Sequence, residues 1–321
     1  MAEPVDDRKP GVVARTRGTV QAARGRAERT IFWRVWERML EIEFIDRSVA
    51  LAGKAFVSFF PLIIVVAAFV PASIRADIFT SLTHRLGVRG EALQIAKDAF
   101  ATSDDVRRAT GILGLVLTAF FATSFTTAMQ RIYLRAWRRP SHGGAGAYTR
   151  GPAWLVMFLA FMAVSGALRT AFSGAFTVAF FVLLIALNVM VWWFTAWFML
   201  KGQVRWRVLL PTGIITAVAN LIYAIYADVW MEHVVKRNAA QFGAFGVAIA
   251  LVTWFTGAAV CLVVGACAGP VLAEDPGRIG TWVRGRSPDL LAPGAEPSLP
   301  APDRELRLRD AFTPVDDGSV G

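Results

Sequence analysis

The chain has 321 residues, of which 55% are hydrophobic and 18% charged, and its formal net charge is +10. Its mean hydropathy of +0.48 lies above that of ordinary soluble domains, so the composition excludes that class and favours an integral membrane protein. Apolar runs of about 20 residues, the length that a helix needs to cross a bilayer, recur between residues 49 and 269. These runs are predicted to be helices, because open sheet edges are not tolerated in lipid.

The N-terminal region, residues 1–27, is rich in Arg, Gly and Ala without apolar periodicity, which predicts a disordered cytoplasmic arm and no secretory signal. Residues 28–47 are predicted to form an amphipathic helix along the cytoplasmic membrane interface. Its apolar residues recur at spacings of three and four: Trp33, Trp36, Leu40 and Phe44. The charged residues between them are interpreted as a solvated face: Arg34, Glu37, Arg38 and Glu41.

The sequence predicts an all-α membrane protein, with a bundle of six transmembrane helices in a domain covering residues 48–269. The predicted spans are 49–71, 110–130, 152–168, 175–200, 208–227 and 243–269. A helical external loop, 72–109, follows the first span, and a disordered cytoplasmic tail, 270–321, follows the last. Only a short segment around Arg169 separates the third and fourth spans, so a single bent helix there would reduce the count to five.

Basic residues favour the cytoplasmic side of a membrane, so their positions test the number of spans. The loop 131–150 carries five arginines and no acidic residue, and Lys201, Arg205 and Arg207 follow the fourth span without an acidic neighbour. Six spans with both termini cytoplasmic place both loops inside, whereas five would expose one of them. We therefore expect a multi-pass protein of the cytoplasmic (inner) membrane that contacts anionic lipid headgroups, with no nucleic-acid partner and with a homo-oligomer allowed.

The first span contains one charged residue, Lys54, roughly 8 Å of helix rise from its cytoplasmic start. Its side chain leans toward that start and reaches the interface, which favours a snorkelling lysine over a cation in an internal cavity. Pro61, near the middle of the span, is interpreted as a static kink, and a hinge is the alternative.

Three uncharged polar residues complete the candidates for a polar pathway. Asn188 and Asn220 lie near the middle of the fourth and fifth spans, where hydrogen bonds between helices are the simpler interpretation. The candidate pathway-lining set is Lys54, Gln130, Asn188 and Asn220. In the sixth span, small residues at i+4 steps predict close helix packing, with a cavity wall as the alternative: Gly257, Cys261, Gly265 and Gly269.

No constellation of an enzyme is visible. The three histidines, His84, His142 and His233, fall in different loops, so no shared metal site is expected. The two cysteines suggest neither a disulfide nor a metal site, and neither a phosphate-binding glycine loop nor a nucleophile elbow is found. We expect no enzymatic activity and no cofactor.

Three segments resemble the BrkB/YihY-type integral membrane proteins, over roughly residues 42–272. They are AFVSFFPLIIVVAAF at 55–69, QRIYLRAWRRP at 130–140 and QFGAFGVAIALVTWFTGAAVCLVVGACAG at 241–269. The resemblance implies a six-helix inner-membrane protein, with transport or export as the usual supposition. The chain departs from the family at Lys54 and at Phe242, where tyrosine is frequent. The family was once labelled ribonuclease BN, but clustered carboxylates or histidines that would hold a metal are missing.

The sequence thus predicts a transporter-like protein that exports or translocates a solute or a lipid. The alternative is a membrane scaffold or envelope-maintenance protein whose loop and tails bind partners, and a ribonuclease is a disfavoured third. Transport predicts a cavity reaching Lys54, whereas a scaffold predicts a dry bundle.

Overall fold

The structure, a computed structural model, describes residues 30–69, 104–140, 146–171, 178–285 and 289–291. Its helices are α1 Ile31–Glu41, α2 Phe44–Phe69, α3 Asp104–Ala136, α4 Gly146–Ala171, α5 Val178–Met199, α6 Leu210–Phe242, α7 Ala244–Glu274 and α8 Arg278–Arg284. A short 3-10 helix, Trp206–Leu209, precedes α6. The one β feature of these residues is a bridge between Val204 and Leu291. The prediction of an all-helical protein is confirmed for the described residues.

Five helical segments are long and apolar enough to cross a membrane: Leu113–Ala136, Thr149–Leu168, Phe180–Met199, Trp206–Met231 and Ala248–Glu274. They overlap the second to sixth predicted spans. The first predicted span, 49–71, falls on α2, and α2 is not among these five segments. Most side chains of α2 beyond Leu62 lie outside the described residues. The predicted arm 1–27, residues 72–103 of the predicted external loop, and the tail beyond residue 291 also lie outside them.

Helices α4 and α5 lie side by side as an antiparallel pair. The indole Nε1 of Trp154 in α4 donates a hydrogen bond to Oγ1 of Thr195 in α5 at 3.1 Å, although the residues are 41 positions apart. One continuous helix would separate them by roughly 60 Å. Two helices, α4 and α5, therefore lie where the third and fourth spans were predicted, although α4 continues through Arg169 to Ala171. That each of them crosses the membrane remains a prediction.

Helices α6 and α7 form a hairpin that turns at Gly243. This residue has φ 58° and ψ −137°, a conformation that glycine adopts without the strain a Cβ would cause. The predicted fifth span ended at residue 227, but α6 continues to Phe242. The reason is that residues 228–242 contain neither glycine nor proline, so nothing stops the helix before Gly243.

Small residues allow the backbone of α7 to approach α6 closely. A Cβ built on any of three α7 glycines would overlap a side chain of α6, in the pairs Gly257 with Tyr223, Gly265 with Thr216, and Gly269 with Thr212. These glycines belong to the predicted small-residue ridge, and its fourth member, Cys261, is half-buried between them. Neither Cys261 nor Cys267 forms a disulfide. This part of the ridge therefore lies along a helix contact of the kind that small residues permit.

Segments far apart in sequence meet at one end of the bundle, which we term the α1 end. Arg38 of α1 is only 5% exposed. Its guanidinium donates to the backbone oxygen of Ala136 at 2.8 Å and to the carboxylate of Glu274 at 3.0 Å. These bonds connect α1 to the ends of α3 and α7.

Two further arginines, in the turn after α3, extend this network. Arg138 donates to the carboxylate of Glu41 at 2.9 Å, and this hydrogen bond raises the pKa of Arg138 above its ordinary value. Arg139 donates to Oε1 of Gln203, in the loop after α5, at 3.1 Å. The turn after α3, the loop after α5, α1 and the end of α7 thus lie together.

The charged residues of α1 therefore differ from the predicted solvated face. Arg38 and Glu41 have partners in α7 and in the turn after α3, and these partners cannot be seen from the periodicity of α1 alone. The opposite side of α1 exposes three apolar side chains, Phe32, Trp36 and Leu40. That this side lies in the membrane interface remains a prediction.

The beginning of the predicted disordered tail is helical. Helix α7 runs to Glu274, and α8 follows it at Arg278–Arg284. Val283 is 1% exposed, and the guanidinium of Arg284 donates to the backbone oxygens of Ala273 and Asp275. Apolar burial and these bonds hold α8 against the end of α7, which the high Pro, Gly and charge content of the region concealed.

Candidate functional site

A cavity of about 240 Å³ lies inside the bundle, and each of the helices α2 to α7 contributes to its wall. Its wall begins roughly 10 Å along the helices from the α1 end and reaches roughly 30 Å from it. Within the part of the chain that the structure describes, 23 residues form the wall, and none of these is Asp, Glu, Lys, Arg or His. Helices from separate sequence segments thus share the wall of one partly open cavity.

Aromatic rings form much of the wall, in two groups. The first runs through α3, α4 and α5, with successive ring contacts of 5.8, 5.1 and 6.5 Å between centroids: Phe125, Trp154, Phe158 and Trp192. The second runs through α6, α7 and α2, with contacts of 6.3, 5.2 and 5.7 Å: Tyr223, Trp254, Phe255 and Phe59. Because such contacts favour fixed relative ring orientations, the wall has a defined shape.

Most polar groups of the wall are hydrogen-bonded to the protein itself. Ser58 donates to the backbone oxygen of Lys54 at 2.6 Å, and Thr126 donates to that of Ala122 at 2.7 Å. Tyr223 donates to the backbone oxygen of Trp254 at 3.0 Å. These hydroxyl protons are therefore not offered to a ligand in this structure.

Three wall residues keep a buried polar atom without a partner among the described residues: Thr118 Oγ1, Trp192 Nε1 and Trp254 Nε1. The side chains of Thr118 and Trp192 are 5% and 9% exposed. An indole N–H is a donor only, and leaving it buried and unpaired costs about 1 to 3 kcal/mol. These three atoms are also inaccessible to a water-sized molecule, so in this structure they lie within the wall and not on the surface of the cavity.

The predicted pathway residues do not converge on the cavity, because only Asn220 belongs to its wall. Its amide donates to the backbone oxygen of Thr216 on the same helix at 2.9 Å. Asn188 donates across the helix pair to the backbone oxygen of Ala217 at 3.4 Å, and not to Asn220. Gln130 donates to the backbone oxygen of Met199 at 3.1 Å. The bonds of Asn188 and Gln130 connect helices, while a pathway role for either remains a prediction.

Lys54 is half-buried in α2 beside this cavity without belonging to its wall. Its neighbours Leu51, Ala55 and Ser58 do line the cavity. Pro61 is buried, and α2 runs unbroken through it as a helix. The structure describes one conformation of α2, so the hinge remains a hypothesis.

The aromatic residues of the wall are not distinguished by the sequence patterns that predicted the pathway residues. A tryptophan in an apolar run fits a lipid-facing or core position equally well. One signal was available: tryptophan prefers the membrane interface, whereas Trp192 and Trp254 lie well inside the predicted spans 175–200 and 243–269. Two interior tryptophans from different spans indicate a shared internal site more strongly than the scattered polar residues did.

Among the described residues, no group of three or more His, Cys, Asp or Glu side chains is placed to hold a metal ion. The absence of a cofactor stays an expectation.

A helical chain with five helices of membrane-spanning length and apolarity defines a polytopic membrane protein. Residues 35–277 match the family model described as virulence factor BrkB, which covers about three quarters of the chain, and the protein belongs to this family. Comparisons with curated proteins and with solved structures gave no match.

Proposed function

We propose that this protein is transporter-like and exports or translocates a solute or a lipid through the centre of its helix bundle. The observation that carries the proposal is the cavity of about 240 Å³ to which all helices from α2 to α7 contribute. Dense packing is the rule in protein interiors, and cavities of this size are few. A bundle that only supports a scaffold has no need of such a space.

We also propose that the chain crosses the cytoplasmic membrane six times, with both termini inside. The hydrogen bonds of Arg38 to Ala136 and Glu274 support an even number of crossings, because they place α1 and the end of α7 at the same end of the bundle. With α2 counted as a span, the number is six. The basic loops at this end favour its placement in the cytoplasm, next to anionic lipid headgroups.

The proposal predicts that the cavity is reached from outside the bundle. We would replace the wall residue Ala258 by cysteine in a Cys261→Ser, Cys267→Ser background and measure its reaction with a small, membrane-permeant methanethiosulfonate. The native Cys267, retained alone in a second sample, is the matched control, since it is fully buried on the same helix and outside the wall. We expect Ala258→Cys to react much faster than Cys267.

Equally slow reaction of both thiols would describe a dry bundle and contradict the proposal. The membrane scaffold would then be the better account, with its function in the external loop or the tails. The melting temperatures of both samples are also measured, because similar values show that a slow reaction is not caused by unfolded or aggregated protein.

A further inference from the structure

The polar groups of the cavity wall are largely used within the bundle itself. Four wall side chains donate hydrogen bonds to backbone oxygens: Ser58, Thr126, Asn220 and Tyr223. The three wall atoms without a partner among the described residues are inaccessible to a water-sized molecule. Because a buried water needs two to four polar partners, such a cavity holds water poorly. The wall therefore favours an apolar occupant.

A charged group is excluded from the same space. Within the described residues the wall contains no Asp, Glu, Lys, Arg or His that could pair with an ion. Burying an unpaired ion costs far more free energy than burying an alkyl group. The charged headgroup of a lipid is therefore expected to stay outside, whereas its hydrocarbon chain meets no such barrier.

The cavity is long in the direction of the helices. Its wall runs from Leu51 to Leu62 on α2 and from Thr118 to Met129 on α3, which corresponds to roughly 16 Å of rise on each helix. An extended alkyl chain with C–C bonds of about 1.5 Å advances about 1.3 Å per carbon, so roughly twelve carbons span this length. A chain would use the whole length, whereas a compact ring would leave part of it empty.

The surrounding bilayer is the nearest source of such chains. Most of the wall belongs to segments of membrane-spanning length, and the cavity is partly open. A chain that is already dissolved in lipid gains nothing from the hydrophobic effect when it enters. It gains dispersion contacts, however, because the side chains around a void lack neighbours on one side.

We propose that the cavity binds one acyl chain of a membrane lipid, whose headgroup stays outside the wall. This inference rests on the proposed function for the use of the site. It deepens that function, because it names the substrate class as a lipid that is recognised through its hydrocarbon chain.

The test uses a phospholipid with a photoreactive diazirine in the middle of one acyl chain. The purified full-length protein is reconstituted in phosphatidylcholine vesicles containing a small fraction of this lipid and irradiated, and adducts are located by mass spectrometry. We expect adducts at the wall residues Phe255 and Ala258 of α7. Exposed Ile222 of α6 is the control for depth, because its neighbour Tyr223 packs against Gly257 at the level of Ala258.

A matched pair of variants separates the cavity from the outer surface of the bundle. Ala258→Phe places a ring in a void of about 240 Å³, so the wall adduct at Phe255 should fall roughly fivefold while the adduct at Ile222 persists. Val218→Phe, at an exposed position of α6, should leave both adducts unchanged. In the unmodified protein, Cys267 of α7, which is buried outside the wall, should carry no adduct.

Adducts at Ile222 without any at Phe255 or Ala258 in the unmodified protein would overturn the inference, whether or not Ala258→Phe folds. Wall adducts that persist undiminished in folded Ala258→Phe would overturn it as well. If a free fatty alcohol with the same diazirine labels the wall and the phospholipid does not, the occupant is a free lipophile and the proposal of a membrane lipid is wrong.

The thiol reaction of Ala258→Cys distinguishes this failure from failure of the proposed function. Fast reaction of that thiol, with no lipid adduct on the wall, refutes only the acyl chain as occupant. Slow reaction together with no adduct on the wall refutes both proposals.

Discussion

Gly265→Ala is expected to destabilise the folded protein by about 2 kcal/mol relative to Gly53→Ala. At Gly265 of α7 the new Cβ would overlap Thr216 of α6 and approach its backbone, so the two helices have to separate. At Gly53 of α2 a Cβ meets nothing within 4 Å. Both changes raise helix propensity by a similar amount, about 1 kcal/mol, so the difference between them isolates the α6–α7 contact.

The measurement is the midpoint of unfolding by sodium dodecyl sulfate, followed by circular dichroism, for both variants and the unmodified protein. Gly53→Ala should leave the midpoint unchanged or raise it slightly. Equal midpoints for the two variants would mean that α6 and α7 do not pack closely at this point.

Arg38→Met is expected to lower the free energy of unfolding by about 2 to 3 kcal/mol. The methionine keeps an apolar stem but leaves the Ala136 oxygen and the Glu274 carboxylate without the guanidinium. Ala136 is fully buried, whereas the side chain of Glu274 is 37% exposed and partly hydrated. Because water partly replaces the guanidinium at Glu274, the loss of stability is smaller than for a fully buried ion pair.

The matched control is Arg135→Met. Arg135 lies at the same end of the bundle and approaches Glu43 at 3.9 Å, but both side chains are more than half exposed. Exposed pairs of this kind contribute about 0 to 1 kcal/mol. Thermal unfolding, followed by the fluorescence of the 11 tryptophans, compares the two variants. If Arg135→Met is as destabilising as Arg38→Met, the α1 end is not held together by the buried arginine.

The long helices and the division near Arg169 were predictable, because hydrophobic length and basic loops are local features of the sequence. The α1 network was not, because the partners of Arg38 lie 98 and 236 positions away along the chain. The spacing of charged residues on α1 predicts a charged face, but it does not predict which residues of other helices bind to that face.

The sequence predicted a cavity reaching Lys54 only for a transporter, and the wall of the observed cavity does not include Lys54. The predicted pathway residues Gln130, at the end of a span, and Asn188, near the middle of one, donate hydrogen bonds to backbone oxygens of neighbouring helices. The wall consists largely of aromatic and small residues, whose meeting depends on the relative rotation of α2 to α7. Helix rotation is set by packing contacts such as that of Gly265 with Thr216, which no single span reveals.

The central claim is that the cavity belongs to a pathway across the membrane, and side-specific thiol labelling tests it most directly. We would place Ala258→Cys and Lys54→Cys separately in the background without Cys261 and Cys267 and reconstitute each variant in sealed vesicles of known orientation. A membrane-impermeant thiol reagent would then be added to one side at a time. We predict that reagent from either side reaches the thiol at position 258. Reaction of that thiol from one side only, under all conditions, would describe a closed pocket and contradict the account.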